Sequence, residues 1–215
     1  MNQKLYDDFL EILEQEDKDR AVLFILELMQ NKTISLTELY EELLSAALIN
    51  FTCQLEDKEL CIWKEHARTS IIRTILEATY PFVIDQKPKN DHGKKRVLVV
   101  CPQEEYHEIG AIIATNYFLL AGYQARYIGA NTPTTEILSA VKALAPDFLA
   151  LSVTNYYNLF TTKKLTESIK ITFPQVKIIV RGQAFAHPGA LDQLPYDYHI
   201  HNVTDIARFE KGDVL

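Results

Sequence analysis

The chain has 215 residues, of which 47% are hydrophobic and 24% charged, with a formal net charge of −7. That length holds one large domain or two small ones. The acidic balance excludes a generic nucleic-acid binder, because contact with phosphate needs a basic surface. No signal-peptide-like apolar run follows Met1, and no uninterrupted stretch is long enough to span a bilayer. The expectation is a cytoplasmic protein without membrane attachment. The three cysteines, Cys53, Cys61 and Cys101, are odd in number and form no CxxC pair, so they read as reduced, mostly buried thiols.

The first eighty residues read as helices. Leu5, Phe9, Leu10 and Leu13 keep a helical stripe with acidic residues between them. Asp17 is placed to cap a second helix carrying Ala21, Leu23, Phe24, Ile25 and Leu28. Ser35 followed three residues later by Glu38 is a capping box, which opens a third helix through Leu39, Leu43, Leu44 and Leu48. A fourth is predicted from about Asp57 to Tyr80, with Pro81 as its stop. The absence of glycine before Gly93 suits a helix bundle. Residues 1–83 are thus read as an all-α cap and the polar stretch 84–95 as a linker.

From Arg96 the pattern changes. Val97–Cys101, Gln124–Ile128, Phe148–Ser152 and Val176–Val180 read as strands, with His199–His201 as a weak fifth. Helices are expected between them, from about Glu108 to Leu120, Thr134 to Leu144 and Thr162 to Ile171. Strands alternating with helices mean an α/β fold with a doubly wound, flavodoxin-like, parallel five-stranded sheet over residues 96–215. Ligands of such sheets sit beyond the carboxyl ends of the strands.

The loops at those ends carry the candidate chemistry. After the first strand comes Glu105-Tyr106-His107-Glu108-Ile109-Gly110. Imidazole is a common transition-metal ligand whose second nitrogen is usually held by a carboxylate. Glu105 is placed to hold one nitrogen of His107 and leave the other for a metal, while Gly110 lets a bulky group pass close to the helix start. The third strand ends Ser152-Val153-Thr154 and the fourth Arg181-Gly182-Gln183. Small and hydroxylic residues at these tips leave a slot between strands. Taken one at a time, each residue reads equally well as an ordinary turn or capping residue.

Together, ExHxxG, SxT and GQ resemble the DxHxxG, SxL and GG signature of the cobalamin-binding domain family, over Arg96 to about Asp205. The resemblance implies that the cofactor's dimethylbenzimidazole leaves the cobalt and enters a channel in the sheet. His107 would replace it as lower axial ligand, oriented by Glu105. Ser152 would bond the displaced base, and Gly110, Thr154 and Gly182 would line the channel. Glu105 stands where the family has Asp, Thr154 where it has Leu, and Gln183 where it has the second Gly, the last as a residue that would crowd the channel. The stretch Leu60 to Thr69 resembles the xxxEHxxT helix of the four-helix cap found beside this domain in cobalamin-dependent photoreceptor-type regulators and, in related form, in corrinoid methyltransferase proteins. Glu65 and His66 match the pair that faces the corrin's upper side, where the histidine can approach the metal. Leu55 occupies the position of the family's Trp.

The expected function is a cobalamin-binding sensor or regulatory protein that passes a conformational change to a protein partner. The cofactor form, adenosylcobalamin or methylcobalamin, stays open. The alternatives are a corrinoid methyl carrier serving a methyltransferase, and a degenerate domain that binds another tetrapyrrole, such as haem, or none. No phosphate loop, nucleophile elbow or HExxH motif marks an autonomous enzyme. Direct DNA binding is not expected, because the first helix begins near Leu5 with no helix-turn-helix before it. A homodimer remains open.

Overall fold

The computed structural model describes residues 2–51, 61–89, 95–202 and 205–206. The chain divides into two compact units, Met1–Gln86 and Lys87–Leu215.

In the N-terminal unit, α1 (Gln3–Glu14) buries Tyr6, Phe9, Ile12 and Leu13 on one stripe. Asp17 caps α2 (Lys18–Gln30), its carboxylate accepting the Arg20 N–H at 3.0 Å. The capping box forms reciprocally. Glu38 accepts the Ser35 N–H at 2.7 Å and Ser35 Oγ accepts the Glu38 N–H at 3.2 Å. The helix that follows differs from the expected α-helix. Glu38–Ser45 is a π-helix, continued by the short α-helix α3 (Ala46–Ile49). Its wider turn buries Leu39, Tyr40, Leu43 and Leu44 together. Polar and apolar spacing alone did not reveal it.

The last helix of this unit, α4 (Cys61–Gln86), packs against α1 and α2. It passes through Pro81 and continues to Gln86, where the sequence reading stopped it at Tyr80 and placed residues 84–86 in a linker. Proline deletes one backbone donor. Two residues on, Val83 is fully buried, and that packing carries the helix past the break. Cys101 is a free, buried thiol as expected, but Cys61 is disulfide-bonded, against the reading of three reduced cysteines. Its partner lies outside the described residues.

In the C-terminal unit, five parallel strands are β1 (Arg96–Val100), β2 (Gln124–Tyr127), β3 (Phe148–Ser152), β4 (Lys177–Arg181) and β5 (Tyr198–Ile200). Their spatial order is β2-β1-β3-β4-β5, the doubly wound arrangement the alternation predicted. The helices between them are α5 (Ile109–Leu120), α6 (Thr134–Leu144) and α7 (Leu159–Thr172). Successive residues of a strand face opposite sides of the sheet. Val97, Val99 and Ala150 join the core with Ala111 and Phe118 of α5, whereas Leu98, Val100 and Leu151 join Ile137 and Val141 of α6 and Leu165 and Ile169 of α7. All residues of β3 are buried, as befits a central strand covered on both faces. The chain reverses its winding between β1 and β3, and the loops leaving those strands flank that crevice. Among the described residues, no helix is long and apolar enough to cross a membrane.

Candidate functional site

The site is built around one carboxylate. Glu105, in the loop leaving β1, is fully buried. Its Oε1 lies 2.5 Å from His107 Nδ1 and accepts the His107 backbone N–H at 3.0 Å. Its Oε2 accepts the backbone N–H groups of Thr154 and Asn155, each at 2.9 Å, and the side-chain amide of Asn158 at 3.1 Å. The carboxylate therefore ties the β1 loop to the β3 loop at the switch point. Burial alone would raise its pKa. The hydrogen bonds from His107, Asn155 and Thr154 outweigh burial and hold it at about 2. The His107 side chain is 56% exposed, so the ring is fixed at Nδ1 while its body faces the surface.

Beneath this loop, Cys101 Sγ lies 3.7 Å from the His107 carbonyl and 3.9 Å from the Tyr127 hydroxyl, which donates to Glu108 at 2.9 Å. Burial pushes the Cys101 thiol up to about 12, so it serves as packing, not as a nucleophile. Asn131, at φ +48°, accepts the Glu104 N–H at 2.8 Å and steadies the same loop.

The slot expected beside the loop is lined by Gly110 and Ser152, and it contains a side chain the sequence reading left out. Arg181, the last residue of β4, donates from Nη1 to the Gly110 carbonyl at 2.5 Å and lies 3.5 Å from Ser152 Oγ. A Cβ on Gly110 would stand 3.0 Å from that nitrogen and 3.7 Å from Ser152 Oγ. The group that crowds this space is Arg181. Gln183 is exposed at the start of a short 3₁₀ turn (Gln183–Ala186), contrary to the expectation that it would do so. Gly182 has φ +110°, and a Cβ there would come within 2.2 Å of the Val153 carbonyl oxygen, so it seats the β4 tip on the end of β3. Thr154 contributes through its backbone N–H. Glu65 and His66 lie on α4 and are both exposed, and Trp63 on the same helix is 50% exposed. Leu55 lies outside the described residues.

Three contributors escaped the sequence. Asn158 is one of the donors to Glu105, Asn155 gives its backbone N–H, and Arg181 fills the slot. Only Arg181 left a signal, as a charge ending the apolar run Ile178-Ile179-Val180.

A family model of the B12 binding domain matches residues 95–204, just over half of the chain. The chain belongs to this family. Its B12-binding domain is the unit that carries Glu105, His107, Ser152 and Arg181. A search of curated proteins finds 28% identity over 93 residues to the HTH-type transcriptional repressor CarA of Myxococcus xanthus, covering 43% of this chain and 31% of that protein. Among solved structures, the fold resembles the monomethylamine corrinoid protein of Methanosarcina barkeri, with a TM-score of 0.80, 14% identity and 98% of each chain covered. It also resembles the methanol:cobalamin methyltransferase complex MtaBC of the same organism, with a TM-score of 0.51, 15% identity and coverage of 99% of this chain and 80% of that one. At these identities the likeness concerns the fold, a helical N-terminal region followed by the five-stranded parallel sheet.

The residues at the B12-binding domain's switch point fit one part of a corrinoid and not another. A surface imidazole fixed at one nitrogen by a buried carboxylate suits an axial metal ligand. Among the described residues no group of three or more His, Cys, Asp or Glu is placed to hold a bare ion. The Gly110–Ser152 slot, by contrast, is filled by Arg181.

Proposed function

We propose that the protein holds cobalamin base-off with His107 as lower axial ligand, and acts as a sensor that passes the cofactor's state to a protein partner. The observation that carries this reading is the Glu105 carboxylate. It is fully buried and saturated with donors, and it fixes an exposed imidazole at the topological switch point. With Nδ1 engaged, Nε2 is the atom assigned to the metal. Tyr106, Tyr157 and Phe160 expose 69%, 86% and 67% of their surfaces at the same carboxyl end of the sheet, apolar area suited to covering by a macrocycle. Cobalamin, when bound, supplies a cobalt able to take and release an upper ligand. The chain's part is to hold His107 in one tautomer and to keep the ring oriented.

The sensing role draws on the exposed Glu65–His66 pair of α4 and on the similarity to a transcriptional repressor. A second reading, a corrinoid methyl carrier, is favoured by the likeness of fold along the whole chain to a corrinoid protein.

Titration of the full chain with hydroxocobalamin, followed by absorbance, tests the ligand. The expected spectrum is that of a base-off, histidine-ligated cofactor, and His107→Ala should lose it and bind more weakly. An unchanged spectrum and affinity in that variant would sink the assignment. The two roles separate under light. A sensor should change its spectrum and hydrodynamic size when its adenosylcobalamin complex is illuminated, and His66→Ala should abolish the new spectrum while sparing binding in the dark. A methylcobalamin complex that ignores light but gives its methyl group to a thiol with a partner enzyme favours the carrier.

A further inference from the structure

Arg181 is a half-buried cation with an enclosed Nε and an incomplete set of partners. Its Nη1 reaches two neutral oxygens, the Gly110 carbonyl and Ser152 Oγ. Its Nε is enclosed and has no hydrogen-bond partner among the described residues. No ion pair is formed by Arg181 among the described residues, although Glu105 and Asp197 each gather several donors elsewhere in the unit. Burial pushes its pKa down to about 10, still high enough to keep the charge at neutral pH. A desolvated guanidinium with an orphaned donor is costly. Its position is therefore not explained by its own bonding.

Its location supplies the explanation. The guanidinium stands beside Gly110 and the hydroxyl of Ser152: a Cβ on Gly110 would lie 3.0 Å from its Nη1 and 3.7 Å from Ser152 Oγ. A nucleotide base entering there would need Ser152 Oγ as its partner and the space above Gly110 for its ring. Both are taken.

Resting on the cobalamin reading above, we infer that Arg181 plugs the slot against the nucleotide base of an intact cobalamin, so that the protein selects a corrinoid lacking that base, of the cobinamide class. Such a ligand presents the same cobalt face to His107 and asks nothing of the Gly110–Ser152 slot. Intact cobalamin must first extract a guanidinium from two hydrogen bonds and re-solvate it.

The experiment compares hydroxocobalamin with aquacobinamide, each titrated by absorbance into the full wild-type chain, Arg181→Gly and Arg181→Ala. Thermal unfolding confirms that each variant is folded, and the alanine variant serves if the glycine variant is not. Wild type should bind aquacobinamide more tightly than hydroxocobalamin. Removing the guanidinium should raise cobalamin affinity by about tenfold or more, because hydrogen bonds to a charged group no longer need to be broken. Cobinamide affinity should stay within about twofold, since its binding leaves those bonds intact. A cobalamin-to-cobinamide ratio unchanged by the substitution overturns the plug and leaves His107 ligation standing. Weaker cobalamin binding in the variants also overturns it, by making Arg181 a partner of the tail phosphate. If neither corrinoid binds any of the three proteins, the cobalamin reading fails and the plug with it.

Discussion

Two charges at the carboxyl end of the sheet, a fully buried Glu105 and a half-buried Arg181, differ in how completely they are answered. Glu105 leaves β1 and receives hydrogen bonds from three backbone N–H groups, one side-chain amide and one imidazole nitrogen. Arg181 ends β4 and has two neutral oxygens and an orphaned Nε. Both pay for desolvation. Only the carboxylate recovers it, which is why its pKa falls to about 2 in spite of burial. A fully bonded buried charge is part of the scaffold, whereas an incompletely bonded one is conserved energy for something that is not yet there or that must be kept out. On this basis the first should be expensive to remove and the second cheap.

Glu105→Ala should show the largest effect. It strands the N–H groups of His107, Thr154 and Asn155 together and leaves the Asn158 amide with only the Glu104 carbonyl, and water at the rim can answer only some of them. The expected loss is about 3 kcal/mol of unfolding free energy at neutral pH, read from urea denaturation. Glu105→Gln keeps the volume and one acceptor and should lose less. In cofactor titrations Glu105→Ala should weaken binding by about 10- to 100-fold through the freed imidazole, since Glu105 is a positioning residue and does not itself reach the metal. An alanine variant as stable as wild type would break the comparison from its strong side.

Asp197 is an intermediate case and sharpens the scale. It lies outside the site, with its side chain 16% exposed. It accepts from the Ile178 N–H at 2.7 Å, from Lys177 Nζ at 3.1 Å and from Lys170 Nζ, joining the start of β5 to β4 and α7. Burial would raise its pKa, but these three donors lower it below the ordinary 3.8. A carboxylate whose folded pKa is depressed contributes stability above its unfolded pKa, and that stability is lost as pH falls through the folded value. Asp197→Asn should therefore cost about 1–2 kcal/mol at pH 7, with the gap to wild type closing below about pH 4. A gap that stays constant from pH 7 to pH 3 would mean that the charge contributes nothing.

The sequence made the fold legible because its strands are short apolar runs and its helices carry regular stripes. Phe148–Ser152 and Thr134–Leu144 fall where spacing placed them. It failed where tertiary packing overrides local preference. Val83 holds α4 together beyond Pro81, and the burial of Tyr40 with Leu39, Leu43 and Leu44 accompanies a π-helix that no spacing rule announces. The site was legible at Glu105 and His107, because a carboxylate two residues before an imidazole is a local pattern. Asn158 and Arg181 reach the same place from β3 and β4, about fifty and seventy residues away, and nothing in their own neighbourhoods records it. The reading of Gln183 as the crowding residue erred by two positions. The charge that points into the slot is the one just before Gly182, while Gln183 follows a glycine whose φ of +110° turns the chain outward to an exposed position.

The smallest effect expected is that of Arg181→Met, and it tests the comparison from its weak side. Methionine keeps most of the length of the arginine stem and adapts to irregular space. It removes the charge, the orphaned Nε and the two bonds to Gly110 O and Ser152 Oγ at once. The two oxygens lose a donor, but the protein no longer desolvates a guanidinium. Replacing a buried, poorly paired ion by an apolar group of similar volume is often neutral or stabilising. The unfolding free energy of Arg181→Met should therefore lie within about 1 kcal/mol of wild type, or above it. That outcome beside a large loss for Glu105→Ala would separate a charge that builds the site from one that the fold tolerates for what it excludes. A loss comparable to that of Glu105→Ala would mean that the two bonds from Nη1 hold α5 and β3 to β4, and that Arg181 is scaffold like Glu105.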